Sequence, residues 1–136
     1  MNIYLLVHII GIIIALGAVT VIDTMGFTAR KSKEWTKTTI KAHHITKPLI
    51  WLGTIIAVLS WLFLYDATTI SNIKSILLVI MVLNGSFLSF YVSPRLDKLY
   101  NKNTLLPTPL QQKIMVSMII SFISWWSFVV LTVWSL

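Results

Sequence analysis

No cysteine occurs among the 136 residues. That absence removes disulfides, cysteine-zinc sites, iron–sulfur clusters and thiolate-ligated haem from the chemistry open to the chain. Charge is almost as scarce: 11% of residues are charged, where soluble domains carry roughly a quarter. Alternating β-barrel patterning is missing, and so are low-complexity tracts and convincing repeats. What fills the space is hydrocarbon, with 57% hydrophobic residues and a mean hydropathy of +0.85. This is the composition of a membrane protein, organised as a single domain over residues 1–136.

Four apolar runs, at about 3–27, 43–65, 73–93 and 113–135, are each long enough to cross a bilayer core of about 30 Å. Because backbone groups in lipid must bond within their own segment, each run predicts a helix. The expected fold is therefore all-α, a four-transmembrane-helix bundle. The first run is too long for a cleaved signal peptide and is expected to be retained. The connections are a basic loop at 28–42, a short turn at 66–72 and a longer loop at 94–112, where Pro107 and Pro109 discourage helix.

The formal charge of +7 is unevenly placed. Arg30, Lys31, Lys33, Lys37, Lys41 and Lys47 follow the first run, and Arg95, Lys98, Lys102 and Lys113 follow the third, so ten of the eleven basic residues share one side. The positive-inside rule makes that side cytoplasmic in a cell (inner or plasma) membrane, with both termini outside. Attraction to anionic lipid then accounts for the charge without a nucleic-acid partner. Trp61, Tyr65 and Trp134 fall near the outer boundary.

Small residues recur at helical spacing: Gly11, Ala15 and Ala18 in the first span, Thr46, Gly53, Ala57 and Ser60 in the second, Ser117, Ser121 and Ser124 in the fourth. Such stripes let helix backbones approach closely, and the first continues from His8. An ionisable group inside lipid is costly and marks a candidate site. At about 1.5 Å per residue, His8 and Asp23 are about 22 Å apart along one helix and cannot meet. His8 belongs to an outer layer with Lys74, Ser60, Trp61 and Met81, to which the fourth span adds Ser127 and Val130. The plainer alternatives are a histidine bonded to a neighbouring carbonyl and a lysine snorkelling to the headgroups.

At the inner side Asp23 lies near His43, His44, Lys47, Tyr91 and Arg95, which predicts an ion pair of Asp23 with Lys47 or Arg95. A proton or metal site using one histidine is the alternative, since adjacent histidines point too far apart to share an ion. Asn84, Gly85, Ser124, Trp125 and Trp126 make a middle layer, either packing or the wall of a flat cofactor pocket. Bis-histidine haem is disfavoured by depth, because His8 is outer while His43 and His44 are inner. Haem held by His8, with Met81 or an open position opposite, stays open.

The stretches "VHIIGIII", "ITKP" and "IKSILLVIMVLNG" resemble the HemJ/CopD-like superfamily of small four-helix membrane proteins. "GAVTVID", "PLIWLG" and "SWWS" are nearer to its uncharacterised branch than to HemJ, the membrane protoporphyrinogen IX oxidase. The resemblance implies bound haem b, an oxidoreductase role, and functional residues at His8 and Lys74. The chain departs from HemJ where Asn84-Gly85 replaces a histidine in the third span.

Three functions follow. The first is a haem or tetrapyrrole redox protein with His8 as axial ligand or proton acceptor, Lys74 facing an anionic group, and Met81, Asn84, Trp125 and Trp126 lining the pocket. The second is a non-catalytic subunit or scaffold, a homo-oligomer or part of a larger membrane complex. The third is a small proton or metal transporter using Asp23 and His44 of the inner polar cluster, which also holds Lys47 and Arg95.

Overall fold

A computed structural model describes residues 2–102 and 104–136. Four rods, long and apolar enough to cross a membrane, make up the fold: α1 (Ile3–Ala29), α2 (Lys33–Leu64), a third rod over Thr69–Lys102, and α5 (Thr108–Trp134). The third rod consists of α3 (Thr69–Ser86), a π-helical segment (Phe87–Val92), α4 (Ser93–Leu99) and a final 3₁₀ turn. No strand occurs among the described residues, so the all-α, four-helix architecture holds.

The helices outrun the apolar stretches. The basic segment expected as a loop at 28–42 is mostly helix, because Ser32 caps α2 by accepting the Trp35 N–H at 3.3 Å, with Glu34 in the first turn. Thr36 and Thr39 then donate their hydroxyls back to the carbonyls of Ala29 (2.9 Å) and Met25 (3.3 Å), tying the start of α2 to the end of α1. Hydropathy tracks partition into lipid rather than helix propensity, so it ends a helix where the side chains turn polar.

Between 94 and 112 the expected loop is also mainly helical. The rod runs to Lys102, and Pro109 lies in the first turn of α5, where a missing N–H has no intrahelical partner to lose. Pro94 is accommodated by the π segment before it, in which the Ser93 N–H bonds five residues back to the Leu88 carbonyl. The turn expected at 66–72 shrinks to four residues, since Thr68 caps α3 by accepting the Ser71 N–H.

α1 and α2 pack antiparallel at backbone distance. A Cβ added to Gly53 would stand 2.5 Å from the Gly11 carbonyl oxygen and 2.6 Å from the Ala15 nitrogen. The small-residue stripes at Gly11, Ala15, Ala18, Gly53, Ala57, Ser117, Ser121 and Ser124 are buried, as close packing in lipid requires. α3 and α5 form a second antiparallel hairpin, held by a reciprocal pair: Asn84 Nδ2 donates to the Ser117 carbonyl at 3.1 Å and the Ser117 hydroxyl donates to Asn84 Oδ1 at 2.7 Å. Ile12, Val19, Trp61, Leu78, Met81, Trp125 and Phe128 fill the shared core.

Candidate functional site

Two polar regions lie inside the bundle, one in each half. In the half nearer the termini, His8 is completely buried. Its Nδ1–H donates to the Ala57 carbonyl and to Ser60 Oγ, both at 3.0 Å, while the Ser60 hydroxyl donates to the Ile56 carbonyl at 2.6 Å. A carbonyl can only accept, so the Nδ1 proton is fixed and Nε2 faces the interior with no partner. The imidazole lies between Trp61 and Phe128, with ring centroids 5.7 and 5.6 Å away.

Lys74 covers the same aromatic pair, its Nζ 4.3 Å from the Trp61 centroid and 5.5 Å from that of Phe128. It is 5% exposed and does not snorkel; the ammonium is held by cation–π attraction instead. Trp61 is a core residue rather than a boundary anchor, and donates its indole N–H to Ser75 at 2.9 Å. From α5 the layer receives Phe128, while Val130 faces outward.

His8 meets one half of the test for axial haem ligation. A ligating imidazole characteristically donates its far N–H to a carbonyl, leaving the other nitrogen bare. Space is the failing half: Trp61 and Phe128 cover the ring, and neither His8 nor Lys74 lines any cavity described below. A macrocycle does not fit beside His8 in this packing. Among the described residues no three His, Asp or Glu side chains converge to hold a metal ion.

The second region is a cavity of about 110 Å³ in the half toward the basic connections. α1 contributes Asp23 and Gly26; α2 contributes His43, Trp51 and Thr54; Met81, Asn84, Ser121 and Trp125 close it from the other hairpin. Asp23 Oδ2 and His43 Nε2 are buried there without hydrogen-bond partners. The Met25–Thr39 and Gly11–Gly53 contacts set the antiparallel register in which both side chains reach the wall of this cavity. Trp51 is fixed by donating its indole N–H to Ser89 of the π segment at 2.8 Å.

Several expected partners are therefore rearranged. Asp23 makes no ion pair with Lys47 or Arg95: Lys47 Nζ donates to Ser93 Oγ at 3.4 Å, and Arg95 donates to the Tyr91 carbonyl at 2.6 Å with its guanidinium over the Tyr91 ring. Both cations belong to the rim of the bundle, whereas the carboxyl points into its interior. His44 also leaves the inner cluster, pairing with Asp97 at 2.9 Å where both side chains are half exposed. His43 takes the interior position.

Of the expected pocket wall, Met81, Asn84 and Trp125 line the cavity, separated from His8. Trp126 is 42% exposed on the outside of α5, tilted against Phe122. The residues that the sequence did not single out are Trp51 and, as the preferred histidine, His43. The signal for both was the buried stripe Thr36, Ile40, Thr46, Gly53 and Thr54, whose face His43 and Trp51 adjoin once α2 is started at Lys33.

Outside the spanning rods, Asp66 terminates the connection between the hairpins. Its carboxylate accepts from the Ser71 hydroxyl, from the Thr68 hydroxyl at 2.9 Å and from the Thr68 N–H at 3.2 Å. The Ser71 bond first, then those from Thr68, hold the Asp66 carboxyl below the usual carboxylate range. Comparison of the chain with protein-family models, with curated proteins and with solved structures returns no match, so the assignment of a site rests on the chain's own geometry.

Proposed function

We propose that the protein is a small integral membrane carrier for protons or a small cation, with Asp23 and His43 as its binding groups. One observation supports this above the rest: Asp23 Oδ2 and His43 Nε2 are both buried, both unpartnered and both on the wall of one cavity. A carboxyl group at this depth costs free energy unless it is paired, protonated or in use. Lys47 and Arg95, the basic side chains expected to pair with it, have other partners. A proton or a cationic group answers the carboxylate's charge, and the imidazole nitrogen can accept a hydrogen bond from the same ligand. The cavity is far smaller than the roughly 300–1,000 Å³ that enclose drug-sized ligands, which favours a small ligand over a tetrapyrrole.

Under the positive-inside rule the cavity belongs to the cytoplasmic half of the membrane. The test is a pH jump across liposomes containing the purified protein and an internal pH dye. Wild type should dissipate the gradient faster than empty liposomes, and Asp23→Asn should not. Equal rates for wild type and empty liposomes, both in proton flux and in uptake of a radiolabelled monovalent cation, would refute the carrier reading.

The haem reading keeps one observation in its favour, the bare Nε2 of His8 with Nδ1 already bonded. It requires Trp61 and Phe128 to move aside. Absence of a Soret band after reconstitution with haemin would remove it, and a band lost in His8→Ala would restore it.

A further inference from the structure

We propose that the ligand of the Asp23–His43 cavity is a protonated amine with a single apolar tail, entering sideways from the bilayer between α1 and α5. This rests on the carrier reading and names its ligand class. Asp23 lines two spaces at once: the interior cavity of about 110 Å³ and a lipid-facing groove of about 550 Å³ between α1 and α5. The groove is walled by Phe27, Met115, Ile119, Phe122 and Ile123. Met118 is the other residue common to both spaces. The carboxyl thus stands where an aqueous-type headgroup site meets hydrocarbon.

The passage between them has a movable wall. Gly26 carries no side chain, and a Cβ there would come within 3.3 Å of Met118 Sδ. The space that glycine leaves is filled by an unbranched thioether with three rotatable bonds, the side chain best suited to swing aside and repack.

Charge and donor count select the headgroup. Of the four acidic residues, Asp66 lies in a connection, Glu34 in the first turn of α2, and Asp97 pairs with His44. Asp23 is the carboxyl left facing the interior. An ammonium has three N–H donors and no acceptor, which suits a carboxylate oxygen and an imidazole nitrogen that both lack a donor. Trp51 and Trp125 add aromatic walls, to which a cation is drawn. A bare metal ion is poorly served, since hard cations take about six oxygen ligands.

Size selects the rest. The inner cavity is smaller than the roughly 150 Å³ that accepts benzene, so it takes a headgroup and little more. Met115 to Ile123 extends the groove for about 12 Å along α5, matching one alkyl tail rather than a bulky ring system.

The experiment uses the full chain in nanodiscs of zwitterionic lipid, titrated with n-decylamine or n-decanol, with empty nanodiscs as the partition control. Tryptophan emission should change saturably with decylamine, and decanol should bind about tenfold or more weakly, the loss of one charge-assisted hydrogen bond. Asp23→Asn should weaken decylamine binding by a similar factor. Gly26→Leu, or Met118→Phe if the first variant fails to fold, should block the portal and weaken decylamine binding again. If proton flux depends on Asp23 but decylamine and decanol bind alike, the amine proposal falls and the carrier reading stands. If Asp23→Asn changes neither flux nor decylamine binding, both fall.

Discussion

A step of about 100° about the helix axis separates neighbouring side chains, and that step divides Trp125 from Trp126 and His43 from His44. Trp125 is 3% exposed and lines the cavity; Trp126 looks out toward lipid. Trp125→Ala should therefore cost about 3–5 kcal/mol of stability, whereas Trp126→Ala should stay within about 0.5 kcal/mol, as an exposed substitution does. Reversible unfolding in mixed micelles, followed by circular dichroism, measures both; equal losses would contradict the assigned faces. That Asp23 and His8 carry ionisable groups inside the bundle was legible in the sequence, because an ionisable group in an apolar run stands out at any register. The choice between His43 and His44 was not. A helix begun near 43 gives its first residues no face, and the face appears only when the polar turns from Lys33 onward are counted as helix.

At the scale of elements, apolar length located all four helices, but capping and back-bonding by Ser32, Thr36, Thr39 and Thr68 set where they end. The small-residue stripes were legible because their spacing alone implies close approach. Gly53→Ala tests that approach: the added methyl meets backbone at 2.5–2.6 Å, and the helices must part, at a cost of about 1–3 kcal/mol. Gly17→Ala is the control, because nothing lies within 4 Å of its added methyl, and it should gain about 0.5–1 kcal/mol of helix propensity. Thermal unfolding of the two variants should move in opposite directions.

Asp66 belongs to the same scale, since it ties the start of α3 to the connection before it. Folding lowers its pKa, so its contribution is complete above the unfolded carboxylate value of about 3.9. That contribution is lost as pH falls through the lowered value. Wild-type stability should accordingly decline more steeply than that of Asp66→Asn once the pH falls below about 4. Parallel declines would show that the bonds from Ser71 and Thr68 stabilise nothing.

Over the whole molecule, the charge asymmetry makes a prediction about orientation that the absence of cysteine renders easy to check. Lys31→Cys and Lys98→Cys should react with an impermeant maleimide only after cells are opened, while Asp66→Cys and Ser135→Cys should react from outside. The reverse pattern would invert the protein and place the Asp23–His43 cavity in the outer half. The cavity itself was not legible in the sequence. It depends on how two hairpins fail to fill the space between them, and no single run of residues records that.

Those hairpins are joined by four residues, 65–68, where Ala67 adopts a left-handed φ of 59°. Asp23, His43 and Trp51 belong to the first hairpin; Met81, Asn84 and Trp125 belong to the second. A chain severed at this connection leaves each half with its own internal packing, by Gly11 on Gly53 in one and Asn84 with Ser117 in the other. The cavity is thus the buried face of an association between two internally packed hairpins, and what governs their docking in the bilayer also governs whether the cavity exists.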